Sequence, residues 1–205
     1  MEFYQAVKNR RIVREFSNQA VSPETLERIL DAGLQAPSHN HLREWEFVVL
    51  QKQEDKENAL RHVEEWAKIQ GENNNVSLSA SPAQKMYAYA MPRQYTMLAS
   101  APHVVLPFFK AGAGLLRASS FSTLNSFASV WCVIENIFLA ATAEGLACSM
   151  RIPVGDESER VAKAVNAPQG YMMPCYIGIG HAADDVQALA QHIYVAKQKT
   201  HYGTW

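Results

Sequence analysis

The stretch that decides the fold is Ser122-Thr123-Leu124-Asn125-Ser126-Phe127-Ala128-Ser129-Val130-Trp131-Cys132-Val133-Ile134-Glu135-Asn136-Ile137-Phe138-Leu139-Ala140-Ala141-Thr142-Ala143. Val130, Ile134, Ile137, Phe138 and Ala141 recur at three- and four-residue steps, so they share one side of a helix. Val133 and Leu139 widen the stripe until the helix is apolar nearly all round. Such a helix lies in the middle of a core or against another chain. A membrane span needs roughly 20 mostly apolar residues, and Glu135, Asn136 and Thr142 break this run. A buried core helix with no membrane partner is therefore expected, stopped by Gly145.

Outward from it, the helical and strand periods alternate. Ser22-Pro23-Glu24 opens a helix: the serine accepts an orphan N–H, and proline at the first turn loses nothing. Leu26, Ile29, Leu30 and Gly33 give that helix one apolar face, and Ala36-Pro37-Ser38 ends it. Trp45 to Leu50 reads as a short strand. Residues 53–70 form a charged surface helix with Leu60, Val63 and Ala67 inward. Residues 82–98 are helical with an interruption at Pro92, and 101–109 is a strand broken by Pro107. Leu146 to Ile152 is a strand, and Asp156 with Glu159 predicts a capping box opening a helix to Asn166. Tyr171 to Ile179 reads as one buried strand. The polar run Gly71-Glu72-Asn73-Asn74-Asn75 is a loop. The tail from Ala182 to Trp205 has no period and is rich in aromatics, as expected of a segment lying on a partner subunit.

Composition narrows the function classes. The chain has 205 residues, 48% of them hydrophobic and 19% charged, enough to bury one full core as a single domain over 1–205. Nineteen basic against 20 acidic residues leave a net charge of -1, which offers no broad field for nucleic acid. Cys132, Cys148 and Cys175 are too few and too scattered for a disulfide framework. With no signal-like apolar stretch at the start, a reduced, cytoplasmic protein is expected.

Two clusters could carry chemistry. Arg10-Arg11-Ile12-Val13-Arg14 places three guanidiniums in five residues, and Arg10 and Arg14 share a face in either a helix or a strand. The planar guanidinium fork suits phosphate, giving an anion site; the alternative is a solvated basic surface. Pro37-Ser38-His39-Asn40-His41-Leu42-Arg43-Glu44 concentrates hydrogen-bonding groups in a loop before an apolar strand, where a polar ligand edge would be read; the alternative is a capped loop with exposed histidines. His39 and His41 lack a neighbouring third ligand, so no metal is expected. Gly112-Ala113-Gly114 meets Arg117 where a dinucleotide loop needs glycine, and Gly178-Ile179-Gly180 lacks the following helix and acidic residue.

Taken in order, these pieces resemble the nitroreductase family of flavin enzymes over nearly the whole chain. The residues that carry the resemblance are Arg10-Arg11-Ile12-Val13-Arg14-Glu15-Phe16, Val21-Ser22-Pro23-Glu24, Ile29-Leu30-Asp31-Ala32, Ala36-Pro37-Ser38, Trp45-Glu46-Phe47-Val48-Val49, Gly145-Leu146-Ala147-Cys148, Ile177-Gly178-Ile179-Gly180-His181 and Lys197-x-Lys199. The resemblance implies an α+β fold, with a mainly antiparallel sheet flanked by helices and a long central helix at a homodimer interface. It implies FMN at that interface, touched by both chains. NADH or NADPH would reduce the FMN, which would then pass electrons to a small-molecule oxidant such as a nitroaromatic or quinone. By motif match, Arg10, Arg11 and Arg14 would hold the phosphate and the polar side of the flavin. Pro37, Ser38, His39 and His41 would contact the cofactor from the loop, and Lys197 and Lys199 would add phosphate contacts. His41 and Arg43 are the candidates to act on the acceptor or reduced flavin. Ile12 stands where the family has Ser, and His41, Arg43 and Glu44 stand where it has Asn, Gln and Pro, which marks a divergent branch. Two alternatives share the scaffold: specialised flavin chemistry such as reductive dehalogenation, with residues 73–85 as a lid, and a flavin-binding protein without turnover.

Overall fold

The computed structural model describes residues 1–72, 81–112, 115, 118, 120–186 and 194–205. Helices α1 (Phe3–Asn9) and α2 (Pro23–Leu34) precede strand β1 (Trp45–Leu50), and α3 (Gln53–Glu72), α4 (Pro82–Ala90) and α5 (Thr96–Ala99) follow it. Then come β2 (His103–Lys110), the long helix α6 (Asn125–Ala143), β3 (Ala147–Arg151), α7 (Glu157–Ala164), β4 (Tyr171–Met172) and β5 (Tyr176–Gly180). The sheet order is β1-β2-β5-β3 with β4 also on β2, and every named pair is antiparallel.

Side chains alternate along β2 and send apolar groups to both faces. Val105 and Phe109 join one core with Ile177, Ile179 and Cys148, under α2 and α6. Val104, Leu106 and Phe108 join the other with Leu60, Val63, Met97 and Val161 from α3, α5 and α7. A sheet covered on both faces needs strands that are apolar throughout, which is what β2 and β5 supply.

Helix α6 is the central core helix the sequence predicts. Val130, Val133, Ile134, Ile137, Phe138 and Ala141 are buried. Its start is three residues later than read, because Phe121–Leu124 form a 3-10 turn first. By length and composition Phe121–Ala143 could cross a membrane, but its inner stripe is packed on the sheet and α2. The Ser22 hydroxyl accepts the Thr25 N–H at 3.2 Å, as the cap predicts. Gly33 lets α2 approach closely: a Cβ there would lie 2.8 Å from Ile137 Cγ1.

Four local readings are corrected. β2 is not broken at Pro107. The Lys110 N–H donates to Glu44 O, so alternate N–H groups face β1 and the position of Pro107 faces the other way. There the ladder is already interrupted between β4 and β5, and no donor is missed. For the same reason residues 171–179 are two strands, separated at 173–175, and not one. The Asp156 capping box does not form; its carboxylate pairs with Arg160 at 2.8 Å, and α7 ends at Ala164. Gly71 and Glu72 continue α3, while Asn73 to Asn75, most of the supposed lid, and Ala113, Gly114 and Arg117 lie outside the described residues.

Candidate functional site

After α1 the chain runs extended along the open edge of β3. Ile12 bridges Cys148 in parallel and the Val13 N–H donates to Cys148 O at 2.8 Å; Phe16 then bridges Ala182. This edge pairing places the arginine string. Arg10 caps the C-terminus of α1, and its Nε stands 3.6 Å from Glu135 Oε1 on α6. Arg11 turns back and donates to the carbonyls of Lys8 (2.7 Å) and Arg10 (2.8 Å), where a helix end favours positive charge. Arg14 is half-buried; its Nε–H is buried with no acceptor among the described residues, and burial pushes its pKa down. The three guanidiniums therefore fan out along one edge and do not converge within one chain.

Beside Arg14, Glu15 Oε1 accepts from Tyr89 Oη at 2.6 Å and Arg93 Nε at 2.8 Å. Arg93 also lies over the Tyr89 ring, 3.9 Å from its centroid. Burial, then Glu15, pushes the Tyr89 phenol up. No motif pointed to this cluster, because Tyr89 and Arg93 are distant in sequence from Glu15.

The second region is the loop from Pro37 to Glu44. Asn40, His41 and Arg43 all have positive φ (51°, 55° and 48°). Left-handed backbone at a residue other than glycine costs of order 1 kcal/mol or more, and such strain gathers at functional sites. Local bonds hold it: the Arg43 N–H donates to Ser38 Oγ at 3.3 Å and the His41 N–H to Ser38 O at 3.2 Å. Two bonds tie it to the start of α6. The His39 N–H donates to Ser129 Oγ at 3.1 Å, and Asn125 Nδ2 lies 3.1 Å from His39 Nδ1. Asn125 and Ser129 were missed as site residues, although they are the polar breaks at the head of the α6 stripe. His39, His41 and Arg43 are exposed. The loop borders a small pocket lined by Leu42, Trp45 and Phe109 together with Ser126, Ser129, Glu44 and Lys110. Glu44 and Lys110 pair at 2.9 Å, which raises the lysine pKa. Phe127 packs on buried Phe109 and on Trp131, with ring centroids 5.9 and 6.0 Å apart.

The two regions sit at opposite edges of the sheet. From β1, which the loop enters, to the arginine string beyond β3 there are four strand spacings, or about 19 Å at about 4.8 Å each. Lys197 and Lys199 lie in or beside an exposed turn, with Lys199 Nζ 5.2 Å from the Tyr194 ring centroid, and no described contact joins them to either region. Of the groups singled out in the sequence, the structure gathers Ser38, His39, His41 and Arg43 in one loop. It sets the arginines at the other edge of the sheet, and no described contact joins the tail lysines to the loop.

This is an α+β architecture: a two-faced antiparallel sheet, one long helix across it, an arginine string on one edge and a strained polar loop on the other. The chain belongs to the nitroreductase family, whose profile matches residues 7–181. An iodotyrosine deiodinase from Haliscomenobacter hydrossis is 32% identical over 110 residues, 54% of this chain and 48% of that protein, so the match spans about half the relative's length. Another from Thermotoga neapolitana is 25% identical over 181 residues, covering 88% of this chain and 89% of the other. A crystal structure of oxidized iodotyrosine deiodinase bound to FMN and 3-iodo-L-tyrosine superposes with a TM-score of 0.77 over 100% of both chains, at 22% identity, which shows the shared fold.

Proposed function

We propose that this chain is an FMN-dependent oxidoreductase that works as a homodimer and carries out the two-electron reduction of a small aromatic acceptor, with a haloaromatic of the iodotyrosine type as the first candidate. The observation that carries this reading is the divided site. An arginine string in which Arg14 keeps an unmet hydrogen bond lies at one edge, and a strained, hydrogen-bonding loop beside a small pocket lies at the other. A two-fold copy packed on α6 brings the loop of one chain toward the string of the next, since an isologous interface applies each patch to the other subunit.

The residues fit the cofactor. The buried Arg14 Nε–H without an acceptor suits a phosphate oxygen, and Arg10 and Arg11 add positive charge on the same edge. Bound FMN would supply two-electron chemistry between a nicotinamide donor, NADH or NADPH, and the acceptor. In this reading Pro37, Ser38, His39 and His41 of the second copy border the flavin, and Lys197 and Lys199 add charge near the phosphate. His41 and Arg43, exposed on the strained loop, face the acceptor as proton or hydrogen-bond donors. Exposed Leu42 offers the acceptor apolar surface beside the loop. The names of the relatives favour dehalogenation over nitro or quinone reduction as the reaction.

The test is a visible spectrum of the purified protein, then anaerobic reduction by NADH and by dithionite, then acceptors. Iodide and tyrosine released from 3-iodotyrosine by the reduced protein support dehalogenation. Oxidation of the reduced protein by a nitroaromatic or quinone alone moves the assignment to general reduction. A colourless protein that takes up no added FMN overturns both.

A further inference from the structure

Glu15 follows Arg14 directly in the chain and bonds Arg93 at 2.8 Å, so it links two positive groups with different tasks. Its carboxylate holds Tyr89 and Arg93, which end and follow α4, while its neighbour Arg14 keeps a buried Nε–H without an acceptor. Arg93 repels the Arg14 charge and Glu15 attracts it. The cluster therefore carries two guanidiniums against one carboxylate, an excess of one positive charge in a half-buried place. Few of the described side chains of helix α4 are buried. Ala83 to Tyr87 are exposed, Ala90 alone is buried among its described side chains, and its N-terminus is closed by its own capping box between Ser81 and Gln84. The clamp is reinforced one residue further on, where Gln94 accepts from Arg151, itself paired with Glu157 in the core.

We propose that Glu15 is a positioning residue that couples anion occupancy at Arg14 to the seating of α4. This rests on the reading of the arginine string as the FMN phosphate site. An anion accepted by Arg14 cancels its repulsion of Arg93, so Arg93 and Tyr89 close more firmly on Glu15 and α4 is held more tightly. By linkage, the factor by which the anion steadies α4 equals the factor by which a seated α4 strengthens anion binding. The coupling belongs to this chain's own residues and requires a carboxylate at position 15.

The experiment is amide hydrogen exchange over residues 85–95 with and without FMN, using riboflavin, which lacks the phosphate, as the control ligand. In the wild-type protein FMN slows exchange there by about fivefold or more, the usual scale of site coupling, and riboflavin does not. In Glu15→Gln, α4 exchanges faster without ligand and FMN no longer protects it. Tyr89→Phe keeps every charge and removes one hydrogen bond; it gives an intermediate protection and a correspondingly weaker FMN Kd. Should Glu15→Gln fail to fold, Tyr89→Phe alone decides, through the matched fall in protection and affinity. FMN that binds while leaving α4 exchange unchanged, or that protects α4 equally in Glu15→Gln, overturns the coupling and leaves the cofactor reading intact. Absence of FMN binding overturns the cofactor reading and the coupling with it. Equal cofactor-free exchange in wild type and Glu15→Gln overturns the Glu15 clamp as well.

Discussion

The two sides of α6 differ in kind. The inner side, Val130, Val133, Ile134, Ile137, Phe138 and Ala141, is sealed against the sheet and α2. The outer side shows Phe127, Ala128, Cys132 and Glu135 to the surroundings, with Glu135 reaching Arg10 and the head of the helix holding the strained loop. One side is an apolar face held at close packing, where loss of volume is felt as loss of stability. The other carries little of the fold's stability and touches both halves of the proposed site, so changes there are read in binding and assembly.

The largest expected effect is on the inner side. Ile137→Ala removes a fully buried side chain that meets α2 at Gly33, and should cost about 2–5 kcal/mol of unfolding free energy. A denaturant titration measures it, and a loss under 1 kcal/mol would mean the core tolerates the cavity and the contrast is weaker than drawn. Next, on the outer side, Arg10→Ala should leave the unfolding midpoint nearly unchanged while weakening FMN by about 1.5–3 kcal/mol, the range for a charge-assisted hydrogen bond. FMN retained at wild-type affinity would remove Arg10 from the site.

A third experiment asks whether the outer side is covered by a second copy. Burial holds the Cys148 thiol at a pKa of about 12 and pushes that of Cys175 up as well, so neither reacts near neutrality. Cys132 is exposed in the single chain. In native protein at micromolar concentration it should resist a thiol reagent and become reactive on dilution below the dimer's dissociation constant. Prompt labelling of one thiol in a species that sediments as a monomer would sink the dimer. The smallest effect lies at the far end of the helix, where Arg28 on α2 holds Glu144 at 2.9 Å. That hydrogen bond keeps the Glu144 carboxyl below its ordinary range. Its contribution is present above the unfolded carboxyl value and lost as pH falls through the lowered folded one. Glu144→Gln should therefore be slightly less stable at pH 7 and equal to wild type in acid, by thermal melts at both pH values in low salt.

These contrasts show how much could be read beforehand. The stripe on α6, the Ser22 cap and β1 were legible because each is a periodic or adjacent pattern within one segment. Pro107 misled because its cost depends on which neighbour its missing N–H would have faced. Asp156 misled because Arg160 competed for its carboxylate one helical turn away. The buried pair of Arg151 and Glu157, at 2.8 Å and covered by Trp66, left no sequence signal at all.

Hydrophobic period alone determined that this chain builds a core around one apolar helix with further helices and short strands about it, because burial of apolar surface acts on patterns that a linear string displays; the α+β class came from the resemblance, and the two covered faces of the sheet from the structure. The order of its motifs was enough to point to the family. Only the tertiary structure decided where the charges went: Arg11 back onto its own helix, Arg14 left with an unmet bond, Glu15 given to α4, and the strained loop set on the far edge of the sheet. Those outcomes follow from hydrogen bonds and ion pairs between residues distant in sequence, whose partners are chosen by three-dimensional proximity.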